Sequence, residues 1–259
     1  MLRRLLCGVA IVVTAVQAHA ADLGDSFLRG SNTVISAPGG TRWDGFYVGG
    51  HVGMSVPGID FINNTPQITA LLSGPPLTSR TATALGTHDS TGKHFGGFVG
   101  YNQQWDGAVV GVEANYHWID KSLTATNVVS GGLALPPPSN TYTGVGSVTS
   151  RIIDYGTLRV RGGWAAGMFM PYATFGIAVG RMDINRSVVV TPATALALPP
   201  VTENILNQFG YGYAAGLGVD FCLMANLFMR AEYEYVQFPD IQGLNAHMHN
   251  VRVGAALKF

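Results

Sequence analysis

The sequence predicts an all-β fold, eight antiparallel strands closed into a barrel, and three observations predict it. Alternate residues divide into an apolar set and a polar-or-glycine set across eight segments. Short turn-forming links alternate with longer ones, most of them carrying prolines. Composition is the third: the 259 residues include 34 glycines while only 12% are charged, against about 7% glycine and about 25% charge in an ordinary globular chain. The same figures exclude other classes. Fifteen bases against 15 acids give no basic footprint for nucleic acid, the glycines follow no three-residue collagen period, and a 47% hydrophobic share argues against disorder.

At the start of the chain, Arg3 and Arg4 precede an apolar run from Leu5 to Val16 and then Ala18-His19-Ala20. Residues 1–20 therefore read as a secretory signal peptide, the run being shorter than the roughly 20 residues of a spanning helix. Its removal would take Cys7 with it and leave Cys222 as a lone thiol, so no internal disulfide is expected. Residues 21–42, polar and rich in Gly and Ser, read as a flexible periplasmic linker, and residues 43–259 as the barrel.

Successive strand side chains point to opposite faces, and each barrel segment carries that alternation. In the first, Phe46, Val48, Val52 and Met54 oppose Tyr47, Gly49, His51 and Gly53. The second is the least regular: Val99, Tyr101 and Trp105 oppose Gly96, Gly100, Asn102 and Gln104, but Phe98 falls on the polar side. In the third, Val110, Val112, Ala114, Tyr116 and Trp118 oppose Gly111, Glu113, Asn115 and His117. Leu158, Val160 and Trp164 then oppose Thr157, Arg159, Arg161 and Gly163, and Phe175, Ile177 and Val179 oppose Gly176, Ala178 and Gly180. Tyr211, Tyr213, Leu217, Val219 and Phe221 oppose Gly212, Gly216, Gly218 and Asp220. In the last two, Leu227, Met229, Tyr233 and Tyr235 oppose Arg230, Glu232 and Glu234, and Val251, Val253, Leu257 and Phe259 oppose Asn250, Arg252 and Lys258.

Asp106-Gly107 is a strong hairpin signal, and short links are also expected near 165–169 and 222–225. The other joints, at 56–92, 120–151, 183–208 and a shorter one at 239–246, read as loops. The first three contain Pro75-Pro76, Pro136-Pro137-Pro138 and Pro199-Pro200, which break ladders. Short turns at one end and long loops at the other are the arrangement of a bacterial outer-membrane barrel, with the short turns in the periplasm and the loops outside.

Period two alone does not set which face is outside, and a soluble lipocalin-like barrel would place the apolar parity inward. Three features favour the membrane reading. The glycines share the charged parity, as a narrow eight-stranded interior requires. Aromatics sit at both ends of the apolar parity: Phe46, Trp105, Trp164 and Phe221 near the short turns, and Tyr116, Trp118, Tyr211, Tyr213, Tyr233 and Tyr235 near the loops, where amphipathic rings form interfacial girdles. Finally, about ten residues tilted by about 40° cover the roughly 25 Å apolar band.

The residues Trp43-Asp44-Gly45-Phe46-Tyr47-Val48-Gly49-Gly50, Gly96-Gly97-Phe98-Val99-Gly100-Tyr101-Asn102 and the terminal Val251 to Phe259 resemble the alphaproteobacterial outer-membrane surface-antigen family of small β-barrels, the outer membrane immunogenic proteins grouped with opacity-type porins. The resemblance implies insertion by the barrel-assembly machinery through the last strand, with Val251, Val253, Leu257 and Phe259 as the assembly signal. It implies an antigenic, envelope-supporting protein without catalytic residues. Outer-membrane lipid and lipopolysaccharide are the expected surroundings, and host or surface ligands would meet the loops.

Inward positions collect Glu113, Arg159, Arg161, Asp220, Arg230, Glu232, Glu234, Arg252 and Lys258, expected to pair into a lumen charge network. Its bland role is a structural plug; the alternative is a narrow ion path, the small-solute porin reading. Neither a cofactor nor a metal is expected, since a metal site needs three or four convergent ligands; His247 and His249 share a face, and inward His51 and His117 read as singly placed. A lipid A-modifying enzyme is a further alternative, but Ser73, Ser79, Ser90, Ser139 and Ser147 stand at no spacing that singles out a triad.

Overall fold

The structure, a computed structural model, describes residues 41–72, 77–133, 141–192 and 199–259. The leader and nearly all of the linker fall on residues 1–40, outside the described residues. The elements are β1 (Gly45–Asp60), a 3-10 turn (Ile62–Asn64), α1 (Thr65–Leu71), β2 (Leu77–Ala82), β3 (Thr87–Asp89), β4 (Gly92–Trp105), β5 (Ala108–Leu133), β6 (Thr141–Trp164), β7 (Phe169–Pro192), β8 (Val201–Met224), β9 (Leu227–Ile241) and β10 (Leu244–Lys258).

Eight of these strands form an antiparallel ring in the order β1-β4-β5-β6-β7-β8-β9-β10, and β10 pairs back onto β1 from Tyr47↔Lys258 to Asp60↔Asn245. Closure removes the sheet edge, whose free N–H and C=O groups a bilayer could not satisfy. The two short strands lie off the ring, β2 on β5 and β3 on β1. At one end the links are short: Asp106, at φ 50°, turns β4 into β5, and Gly167, at φ 64°, lies in the β6–β7 turn.

At the other end the expectation of irregular loops is corrected. Segments 120–151 and 183–208 are largely strand, because β5 runs for 26 residues and β6, β7 and β8 for 24 each. Pro199-Pro200 stands just before β8, and Pro75-Pro76 and Pro136-Pro137-Pro138 lie outside the described residues. The 239–246 joint is a two-residue turn at Gln242-Gly243, with φ 54° and 81°; two successive positive φ values are the mark of the hairpin turn whose twist matches its strands, and glycine adopts them without strain.

A line of register shifts explains why these strands escape the simple period. It crosses the sheet between Trp118 and Lys121 on β5, Ile152 and Asp154 on β6, and Met182 and Ile184 on β7. On β6 the adjacent Asp154 and Tyr155 are both buried, so the inward positions change from odd to even there. On the short-turn side of the line the apolar residues point outward, as at Val112, Leu158, Phe175 and Val253. On the far side the sign inverts at most positions: Leu123, Ala125, Val148, Ile152, Ile184 and Val188 are buried, while Ser122, Thr124, Thr126 and Asn185 are exposed, with the paired Val128, Val145 and Val189 as outward exceptions. An apolar exterior is stable against lipid and a polar exterior against water, so the bulge line marks the membrane surface.

The interior is stratified accordingly. Beyond the bulges the extended strands enclose an apolar core that Phe61, Ile68 and Leu72 cap from above. Pro66 in the first turn of α1 presets its φ and lacks the N–H that would go unpaired there. Asn64 anchors the cap: Arg186 donates from Nε to its Oδ1 at 2.7 Å and from Nη2 to the Gln242 carbonyl at 2.8 Å. Near the short turns a second apolar cluster of Trp43, Tyr47, Phe98, Met170, Tyr172 and Phe228 fills the barrel.

Candidate functional site: a sealed ionic lumen

Between the two apolar clusters lies a layer of charge. Strand register places its members opposite one another: Glu113 against Arg159 across β5–β6, Asp220 against Arg230 across β8–β9, and Glu232 against Arg252 across β9–β10. Arg159 donates through Nη1 to Glu232 Oε1 at 2.5 Å and Glu234 Oε1 at 2.9 Å, and through Nη2 to Glu113 Oε1 at 2.6 Å. Arg230 reaches Asp220 Oδ1 at 2.8 Å and Glu113 Oε2 at 2.6 Å. Arg161 donates to Asp220 Oδ2 at 2.7 Å and Arg252 to Glu232 Oε1 at 2.7 Å.

Three tyrosine hydroxyls complete the acceptors' shells, Tyr47 on Glu113 at 2.7 Å, Tyr172 on Glu232 at 2.7 Å and Tyr155 on Glu234 at 3.0 Å. Guanidinium planes also lie over rings, with Arg161 Cζ 4.0 Å from the centroid of Tyr172 and Arg230 Cζ 4.4 Å from that of Phe98. That stacking gives Phe98 its reason to stand on the polar parity. Four arginines and four carboxylates, all with side chains at most 1% exposed, thus form a neutral, interlocked cluster. Lys258 does not join it: its ammonium donates to the Arg42 carbonyl at the short-turn rim.

The outward residues fall where a membrane would place them. Phe46, Trp105 and Trp164 are exposed at the short-turn end, and Trp118, Tyr211, Tyr213 and Tyr233 near the bulge line, with Tyr116, Phe221 and Tyr235 half-buried. Val251, Val253 and Leu257 face outward from β10, and Phe259 is exposed just past its end.

Residues 8–259 match the family model of the outer membrane protein beta-barrel domain. The chain belongs to that family. It is similar to the 25 kDa outer-membrane immunogenic protein of Brucella ovis, 29% identical over 166 residues covering 63% of this chain and 62% of that protein. It is also 28% identical over 146 residues to the 22 kDa outer membrane protein of Rhizobium leguminosarum bv. viciae, covering 56% and 53%. The matches span less than two thirds of the length of these relatives. Among solved structures, Neisserial surface protein A superposes with a TM-score of 0.40 at 13% identity, covering 83% of this chain and 97% of that one. The protein is thus located in the outer membrane, its short turns periplasmic and its long hairpins extracellular.

In this outer-membrane barrel Tyr155, Tyr172 and His94 also face the lumen, though the sequence pattern did not single them out. Tyr172 lies in the inward register of Thr174 and Gly176, and that parity was the available signal. The histidines are also corrected: His51 and His117 are not singly placed. Their rings meet, Nε2 to Nδ1 at 3.1 Å, and His94 joins them from β4. His249 instead faces outward, bonded to the Tyr233 hydroxyl at 2.7 Å.

Proposed function

We propose that this protein is a non-enzymatic envelope barrel that anchors and displays a rigid extracellular extension, contributes to envelope integrity and conducts no ions as a monomer. One observation carries the reading: the ionic layer is neutral, pairs internally and lies between two apolar plugs. An ion entering would have to part these hydrogen-bonded buried charges, and breaking a buried pair costs about 3–5 kcal/mol. The porin alternative needs a wetted path, and open aqueous channels belong to barrels of about 16–18 strands. Against the enzyme alternative, Ser147 lies opposite Thr126 and Ser187 on the extension, away from any base of the lumen. The partners of this reading are the lipid and lipopolysaccharide around the girdles, the assembly machinery that receives β10, and surface ligands or antibodies meeting the hairpins. Purified protein in planar bilayers should give no steps above the bare membrane; large, stable, ion-selective steps would overturn the reading.

A further inference from the structure

The lumen holds a group of side chains that the ionic cluster does not use. His51 on β1, His94 on β4 and His117 on β5 each offer a ring nitrogen, and these nitrogens all lie within 4.8 Å of one another. All three residues are buried, at 4%, 3% and 0% exposure. Among the described residues, neither ring nitrogen of His94 nor Nδ1 of His51 has a hydrogen-bond partner. A neutral imidazole carries one N–H donor and one lone pair, and leaving both unmatched in a buried position is unfavourable. Nothing in the ionic cluster requires His94 to be polar.

Glycines make the room. Gly96 is the register partner of His51 on one side and of His117 on the other, so the two rings meet over a position without a side chain. A Cβ there would stand 2.8 Å from His51 Nε2. Gly53, opposite His94, leaves the same gap, with a Cβ 2.7 Å from the ring.

We propose that His51, His94 and His117 form a binding site for one divalent transition-metal ion inside the barrel. Metal–imidazole bonds of about 2.0–2.1 Å in tetrahedral geometry put ligand nitrogens about 3.3 Å apart, and His51 Nε2 and His117 Nδ1 already stand at 3.1 Å. A rotation of His94 over the Gly53 gap brings in the third nitrogen. An all-imidazole set suits Zn(II), Cu(II), Ni(II) or Co(II) and not the oxygen-seeking Mg(II) or Ca(II). An outer-shell carboxylate stands within reach, and Arg252 Nη1, 3.3 Å from His117 Nδ1, must turn aside as the metal binds. With Nδ1 of His117 on the metal, its Nε2 becomes the N–H side, and Glu234 Oε2 lies 3.8 Å from it, the carboxylate that orients a ligating histidine. Arg252 Nη1, now 2.9 Å from that Nε2, swings toward Glu234 Oε2 at 3.6 Å while Nη2 keeps Glu232. A bound ion would tie together β1, β4 and β5, a staple in a barrel whose described residues hold one free cysteine and no disulfide.

The test uses the untagged mature protein refolded in detergent micelles, with Co(II) either present during refolding or added afterwards. The wild type should bind one cobalt per chain with the intense visible bands of four-coordinate Co(II), and Zn(II) should displace it and raise by several degrees the temperature at which the folded gel band converts to the unfolded one. Loading only during refolding supports a sealed site, and loading in both arms an accessible one. His94→Gln should lose the bands while keeping heat-modifiable migration, and His51→Gln should repeat the loss if the first variant folds poorly. The double variant His247→Gln/His249→Gln, on the outer face, should bind as wild type does. No cobalt in either arm, or unchanged bands in His94→Gln and His51→Gln, overturns the proposal.

Discussion

At the residue scale, stability rests on charges that cannot be removed singly. Arg230 serves Asp220 and Glu113 together, so Arg230→Met leaves two buried carboxylates short of donors. It should destabilise the folded barrel by about 3–5 kcal/mol in denaturant titrations in micelles; a loss below about 1 kcal/mol would mean that the cluster is wetted. Lys258→Ala, which removes a bond at the rim to a backbone carbonyl, should stay within about 1 kcal/mol of wild type in the same titration. The charged members were legible in the sequence because a base or acid among glycines on one parity has only the lumen to face. Tyr155 and Tyr172 were not, because an aromatic ring suits lipid, interface and lumen alike, and only the position of Glu234 or Glu232 opposite its hydroxyl decides.

At the scale of elements, the bulges do what residue types alone cannot signal. The extra residue on β6 between Ile152 and Asp154 re-aims every side chain above it. Deleting Ile153 should restore one uninterrupted alternation, with Asp154 turned outward while Tyr155, Ile152, Ser150 and Val148 all stay inward. The expected outcome is a barrel still heat-modifiable on gels whose Leu123, Ala125 and Val148 amides keep their hydrogen-exchange protection; loss of that protection would contradict the assigned role of the bulge. The cap makes a second prediction. Ile68→Asp places a charge in the upper apolar core and should destabilise the extension by several kcal/mol, yet it should open no conductance, since the ionic layer and the periplasmic plug remain beneath. The extension reads as loop in the sequence because its parity flips on β6 and because proline clusters break ladders and Ala is a weak strand former. The membrane-spanning halves of the same strands were read from unbroken alternation.

At the scale of the molecule, one chain uses both signs of the two-residue pattern, apolar outward in lipid and apolar inward in water, joined along a line of bulges. The eight-strand count and the closure were legible, because the outer membrane imposes a fixed span and a fixed sign on each strand. Convergence of His51, His94 and His117 was not, since it depends on the register of three strands, and register is invisible in any one of them. The most direct test is nitroxide scanning of outward positions in a Cys222→Ala background reconstituted in lipid, comparing collision with oxygen and with a water-soluble nickel chelate. Val112 and Val253 should be oxygen-accessible and nickel-poor while Thr124, on the same strand as Val112, shows the reverse. Equal lipid exposure at Val112 and Thr124, or nickel access at Val253, would contradict the account.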